Sequence, residues 1–189
     1  MKAYLTTIGE LTTDICKKQL ERFGYEVIVL GEKEAWPDKY KRFIEMANED
    51  CIRIDADIVP NENIKEIAGE VIHKTKILGE KVLMMQFHCY DFYKNMIGIS
   101  SPVYYSKEAL EIIKKNLKQV DMRRPEANAW RLPQINAFTH TSQKVVGLHG
   151  FFQDEAAYFR AMQNKIDRRQ MHLYDFQLAE QLMKVQKYG

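Results

Sequence analysis

The pattern strand, helix, strand between Met1 and Leu30 narrows what this chain can fold into more than any other feature. Residues 3–8 are rich in β-formers and end at Gly9. Thr12 or Thr13 then caps a helix whose Ile15, Cys16, Leu20 and Phe23 share one face, and Gly24 is its stop. The β-branched run from Tyr25 to Leu30 follows at once and ends at Gly31. Two strands joined by one helix pack as a right-handed parallel unit, the start of an open α/β sheet. Ligands of such sheets sit beyond the carboxyl ends of the strands, which nominates Thr6, Thr7, Gly9 and Glu10 after the first strand and Glu32 after the second. Neither G-x-G-x-x-G nor G-x-x-x-x-G-K-[ST] occurs, so neither a Rossmann dinucleotide site nor a P-loop is supported.

The stretch CIRIDADIVP, Cys51 to Pro60, reads as a short buried strand interrupted by two acids. In an extended backbone residues i and i+2 share a face, so Asp55 and Asp57 are expected to point together beyond the strand end. Neighbouring carboxylates repel unless a proton, water or a cation intervenes, and Mg²⁺ or Mn²⁺ held by one or two carboxylates plus substrate phosphates is a common solution. The plain alternative is a solvated strand-to-loop junction. The helix before this strand is expected from Pro37 to about Glu49, burying Tyr40, Phe43, Ile44 and Ala47, with Lys39 and Lys41 flanking that stripe and able to reach towards the acids.

Further along, residues 61–76 read as a helix and Lys81 to Tyr90 as a central strand. The segment NMIGISSPVYYS, with Gly98, Ser100 and Pro102, reads as a loop that could line an acceptor pocket, followed by a helix capped at Ser106. A short helix is expected from Pro125, with Glu126 in its first turn and Trp130 on its face. Lys144 to Leu148 reads as a strand ending in His149 and Gly150. Two amphipathic helices, about 154–169 and 172–187, form a C-terminal extension whose apolar stripes suit packing or homo-oligomerisation.

At 189 residues a single domain spanning 1–189 is expected. A net charge of +2 argues neither for nor against a nucleic-acid partner. Cys16, Cys51 and Cys89 show neither disulfide nor zinc spacing, no run is long enough to span a membrane, and no signal-peptide core is evident, so a soluble cytoplasmic protein is expected.

The opening strand with TTIGELTTD, the helix KYKRFIEMA running into CIRIDAD, the segment GISSPVYYSKEAL and the late LHGFF together resemble the small GT-A type nucleotide-sugar glycosyltransferases, over most of residues 1–160. The resemblance implies a Rossmann-like, mixed and mostly parallel sheet flanked by helices. It also implies a nucleoside-diphosphate sugar donor, Mn²⁺ or Mg²⁺, and an acceptor whose class (glycan, small molecule, protein or nucleic acid) stays open. Carried over, Thr6, Thr7, Gly9 and Glu10 lie on the base side, Asp55 contacts ribose or metal, Asp57 binds the metal, and His149 is a late metal ligand. Lys41, or less directly Lys39, faces the diphosphate. A catalytic base for an inverting reaction would be Glu126, ahead of Asp91.

Two other readings remain. A nucleotidyltransferase of related fold would carry basic residues in the loop after the first strand, and TTIGELTTD has none. A non-catalytic module for protein or nucleic acid would use Lys114, Lys115, Lys118, Arg123, Arg124, Arg168 and Arg169 as a basic patch.

Overall fold

Three segments of β-branched and aromatic residues line up side by side to make the parallel half of the sheet. They are β1 (Lys2–Thr6), β2 (Glu26–Leu30) and β3 (Cys51–Asp55), with α1 (Thr13–Arg22) crossing between the first two and α2 (Trp36–Met46) leading to the third. β1 is central, and its last residue pairs with Leu30 on one side and Asp55 on the other. The computed structural model describes residues 1–31, 34–92, 94–120, 122 and 124–151. Glu32, Arg123 and the expected C-terminal helices with Arg168 and Arg169 therefore lie outside the described residues.

The antiparallel half follows. After β3 come β4 (Ile58–Pro60), α3 (Ile67–Ile72), β5 (Met84–Asp91), β6 (Met96–Tyr105), α4 (Lys107–Lys115), α5 (Pro125–Trp130), α6 (Pro133–Asn136) and β7 (Thr139–His149). The strands form one seven-stranded sheet in the order β2-β1-β3-β6-β5-β7-β4. β5 runs parallel to β7, while β6 is antiparallel to both β3 and β5, and β4 is antiparallel to β7.

Helices cover both faces, so the central strands are buried on both sides and read as apolar runs. On one face Ala3, Leu5, Ile52, Ile54 and Phe87 pack with Cys16 and Leu20 of α1 and with Ile64, Ile67 and Val71. On the other, Tyr4, Cys51 and Tyr105 meet Phe43 and Ile44 of α2, Leu110 and Ile113 of α4, and Ile135 of α6. Phe43 is the hub of an aromatic cluster there, 5.1 Å from the ring centroids of both Tyr4 and Tyr105. Such edge contacts add about 0.5–1.5 kcal/mol beyond area burial. Lys114 donates to the Ala47 carbonyl at 2.6 Å, satisfying an otherwise open group at the end of α2 and joining α2 to α4.

Several local expectations change. The segment expected as a loop at 95–106 is largely β6, because pairing with β5 and β3 outweighs the turn chemistry of Gly98, Ser100 and Pro102. Its turn residues still act locally: the register of β5 against β6 shifts between Gln86 and Phe87, opposite Ser101 and Pro102. The helix expected at 61–76 opens as a 3-10 turn (Glu62–Glu66), is α-helical only over Ile67–Ile72 and ends in a π turn (His73–Ile77). Ile72 consequently faces solvent. β7 starts five residues earlier than the strand expected at 144–148 and runs to His149.

β4 and β7 approach so closely at Gly147 that a Cβ there would lie 2.8 Å from the Val59 carbonyl oxygen and 2.9 Å from Ile58 Cγ2. Gly147→Ala is expected to cost about 1–3 kcal/mol in urea denaturation, the range for overpacking a tight contact. Wild-type stability in this variant would show that the two strands can part without loss.

Candidate functional site

The sheet ends its parallel strands at one edge, and the acids gather there in two separate groups. β3 stops at Asp55, and Ala56 and Asp57 form a turn before β4 begins. The two carboxylates therefore do not continue as i and i+2 of one strand; each faces its own partners.

The loop after β1 is built on its own side chains. Glu10 accepts hydrogen bonds from the Thr7 hydroxyl at 2.7 Å and the Ile8 amide at 2.8 Å. The Gly9 amide donates to Thr7 Oγ1 at 2.9 Å, and Gly9 sits at φ +89°, a left-handed conformation that suits glycine. Burial raises the Glu10 carboxyl above its ordinary value despite the bond from Thr7, and the charge of Asp57 adds to that rise. Thr12 donates to the Ala56 carbonyl at 2.6 Å, and the Ala56 amide donates to the Thr6 carbonyl at 2.9 Å. The loop and the turn between the acids thus form one unit. Beneath it lies Lys39, 1% exposed, whose ammonium donates to the Thr7 carbonyl; burial lowers its pKa. Lys41 instead projects to the surface and lies 3.9 Å from Glu45 one helical turn on.

Asp55 belongs to a group centred on Arg53, a residue that sequence reading passed over. Arg53 is 1% exposed. Its Nη1 donates to Asp55 Oδ1 at 2.6 Å and to Thr6 Oγ1 at 3.0 Å, its Nη2 pairs with Glu126, and its guanidinium lies 4.9 Å from the Trp36 ring. The Thr6 hydroxyl also donates to Asp55 Oδ1 at 2.6 Å. Burial works to raise the Asp55 carboxyl, but the charge and hydrogen bond of Arg53, with the Thr6 bond, hold it below the usual carboxylate value. The Asp55 amide donates to Ser101 Oγ at 3.0 Å, which the β6 irregularity makes possible. The signal for Arg53 was present as a basic residue inside an otherwise apolar strand.

Asp57 belongs to the other group. Strand register places His149 opposite Ile58 on one side and Asp91 on the other. His149 Nε2 is 3.1 Å from Asp57 Oδ2, and its Nδ1 is 3.2 Å from Asp91 Oδ2. The Gly150 amide donates to the Asp57 carbonyl at 2.8 Å and closes the corner. Burial opposes charge on the imidazole, but the two carboxylates outweigh it and push the pKa up to about 9. Asp57 Oδ1 is buried and has no hydrogen-bond partner among the described residues. Among the described residues no group of three or more His, Cys, Asp or Glu side chains is arranged to hold a metal ion. In the trio here the imidazole lies between the acids, so Asp57 and His149 Nε2 are the pair that faces each other. An ion that takes much of its coordination from phosphate and water needs only such a pair, and the orphaned Asp57 oxygen fits that role.

Between β6 and α5 lies a pocket of about 510 Å³ whose lining includes Arg53, Asp55, Glu126 and Trp130. The structure thus brings Thr6, Asp55 and Glu126 together through Arg53, and Asp57, His149 and Asp91 together through the imidazole.

No family model and no curated protein matches this chain. Among solved structures, A197 from STIV overlays with a TM-score of 0.54 at 15% identity, covering 82% of this chain and 87% of its own. A glycosyltransferase involved in the glycosylation of the major capsid of PBCV-1 aligns over 87% of this chain and 98% of its own, at 13% identity and a TM-score of 0.49. The 4-diphosphocytidyl-2C-methyl-D-erythritol synthase from Anaerococcus prevotii aligns over 89% and 96%, at 10% identity and a TM-score of 0.44. Likeness at these identities concerns the fold alone, a mixed α/β sheet flanked by helices.

The Arg53 group makes an asymmetric prediction. Asp55→Ala combined with Glu126→Ala strands a buried guanidinium and is expected to cost about 3 kcal/mol or more. Arg53→Met leaves carboxylates that are 38% and 29% exposed and can be hydrated, so roughly 1–2 kcal/mol is expected. Urea denaturation of both variants reads the order, and a costlier Arg53→Met would show that the carboxylates, not the guanidinium, depend on the pair.

Proposed function

We propose that this protein is a glycosyltransferase that uses a nucleoside-diphosphate sugar, with Asp57 and His149 holding a divalent cation at the donor diphosphate. The observation that carries the reading is the Asp57–His149–Asp91 chain at the carboxyl edge of the sheet, with Asp57 Oδ1 left without a partner among the described residues, beside a loop built by Thr6 to Glu10. Mn²⁺ or Mg²⁺ bound there would offset negative charge on the departing nucleoside diphosphate. Asp57 and the Nε2 of His149 are the protein ligands, and Nε2 would give up the proton that the two acids favour there in order to bind. Asp91 holds the other ring nitrogen and sets the orientation of the imidazole, as outer carboxylates do for metal-binding histidines.

The remaining roles follow from position. Thr6, Thr7, Gly9 and Glu10 offer polar groups at the end of β1, where open α/β sheets bind nucleotides. Asp55, already ionised by Arg53, suits a ribose hydroxyl better than a second strong bond to metal. Glu126 stands in the pocket wall, where its ion pair with Arg53 holds it in place for the role of base. Of the two acids Asp91 and Glu126, only Glu126 lines this pocket, so Glu126 is the one placed to take the proton of the acceptor hydroxyl. Lys39, buried under the loop, supports the loop backbone, and Lys41 is spoken for by Glu45 at the surface.

Nucleotidyl transfer is the second reading, and the absence of Lys or Arg between Thr7 and Thr12 speaks against it. As for location, no helix among the described residues is long and apolar enough to cross a membrane.

Mn²⁺ with uridine or guanosine diphosphate is expected to raise the melting temperature by roughly 5–10 °C at about a hundredfold excess over Kd. Asp57→Ala should abolish that shift, and Asp91→Asn should weaken Mn²⁺ binding about 10–100-fold while the chain stays folded. An undiminished shift in Asp57→Ala would remove the metal assignment.

A further inference from the structure

The pocket between β6 and α5 shares one lining residue with the groups assigned to the donor. Asp55 lines it, whereas Thr7, Gly9, Glu10, Asp57 and His149 do not. Its volume of about 510 Å³ lies in the range of small-ligand sites and leaves room for a mono- or disaccharide.

Its chemistry is selective. Arg53 lies in its wall with both Asp55 and Glu126 against the guanidinium, so the charge of Arg53 itself is already met and does not favour phosphate. Around it stand the flat polar side chains of Gln86, Glu126, Arg131 and Asn136 together with the indole of Trp130. Amide, carboxylate and guanidinium groups each present two or more donors or acceptors in one plane, which suits adjacent hydroxyls on a pyranose ring. An indole offers a broad apolar surface to the C–H side of such a ring and one N–H to its oxygens. Trp130 Nε1 is buried and has no hydrogen-bond partner among the described residues, so an oxygen-rich ligand would supply what that donor lacks. Arg131 and Arg124 are exposed, where water and salt weaken any selection for anions.

We propose that this pocket is the acceptor site and that the acceptor is a neutral saccharide, bound against Trp130 with one hydroxyl directed at Glu126. The assignment rests on the transferase reading above and adds the acceptor class to it. The reaction breaks the bond between the donor's anomeric carbon and its phosphate oxygen. A bond from the acceptor oxygen to that carbon forms, the hydroxyl proton passes to Glu126, and the nucleoside diphosphate leaves with the electron pair.

The chain has two tryptophans, and Trp36 lies against Arg53 outside the pocket lining, so Trp36→Phe leaves Trp130 as the sole indole reporter. The full chain, with and without Mn²⁺ and the nucleoside diphosphates, is titrated with neutral mono- and disaccharides, phosphorylated sugars, and Ser- and Thr-containing peptides. Saturation-transfer NMR on the unsubstituted chain repeats the panel, so the result does not depend on the Trp36 variant. A neutral saccharide is expected to give a saturable change in Trp130 emission. Gln86→Leu or Asn136→Ala should weaken it tenfold or more without altering the melting shift given by Mn²⁺ and nucleotide. Response to peptides or phosphorylated sugars alone, or displacement of the saccharide by the nucleotide, would overturn the assignment. No saccharide response alongside an intact melting shift would sink the acceptor assignment and leave the donor site standing. Saccharide binding without any nucleotide-dependent shift would instead remove the transferase reading on which the acceptor role depends.

Discussion

A guanidinium taken out of water must have its charge met, because the desolvation cost otherwise amounts to several kcal/mol. Arg53 is such a group, and much of the site is arranged around it. The carboxylates of Asp55 and Glu126, the hydroxyl of Thr6 and the ring of Trp36 come from β3, α5, β1 and α2. Four elements distant in sequence are held in one arrangement by a single cation. The interaction is also chemically consequential, since the same cation keeps Asp55 ionised at the end of β3 and sets Glu126 in the wall of the pocket.

The second centre obeys the same electrostatics with opposite signs. Two carboxylates, Asp57 and Asp91, flank one imidazole, and their charge offsets the burial that would otherwise leave His149 neutral. Strand register does the positioning: Ile58 and Asp91 lie on either side of His149 in the sheet. A contact as tight as that at Gly147 keeps β4 against β7, so Asp57 is delivered to His149 by backbone packing rather than by a flexible loop. Rigid strand ends suit a site that must hold charge in fixed places.

Much of this was legible in residue order. The strand–helix–strand opening, the buried strand ending in an acid, the helix capped at Ser106 and the short helix beginning at Pro125 all follow from local periodicity and capping, which act over a few residues. Asp57 and His149 could be nominated because an acid and a histidine at strand ends in an α/β protein are chemically conspicuous. Three things were not legible. β6 looked like a loop, since its Gly, Ser and Pro content is judged locally while its pairing is with strands far away in sequence. Asp55 and Asp57 looked like one pair, although the chain turns between them. Arg53 looked unremarkable, because a basic residue in a strand gains meaning only from partners on other elements.

The sequence by itself determined which segments could be strands or helices and which side chains could carry acid, base or metal chemistry, because those properties reside in single residues and their near neighbours. Only the tertiary structure decided that the two acids serve different partners, that Asp91 attends His149 while Glu126 attends Arg53, and that a pocket opens between β6 and α5. Those outcomes depend on sheet register and on the need to pair every buried charge, and both are settled between residues that the chain keeps far apart.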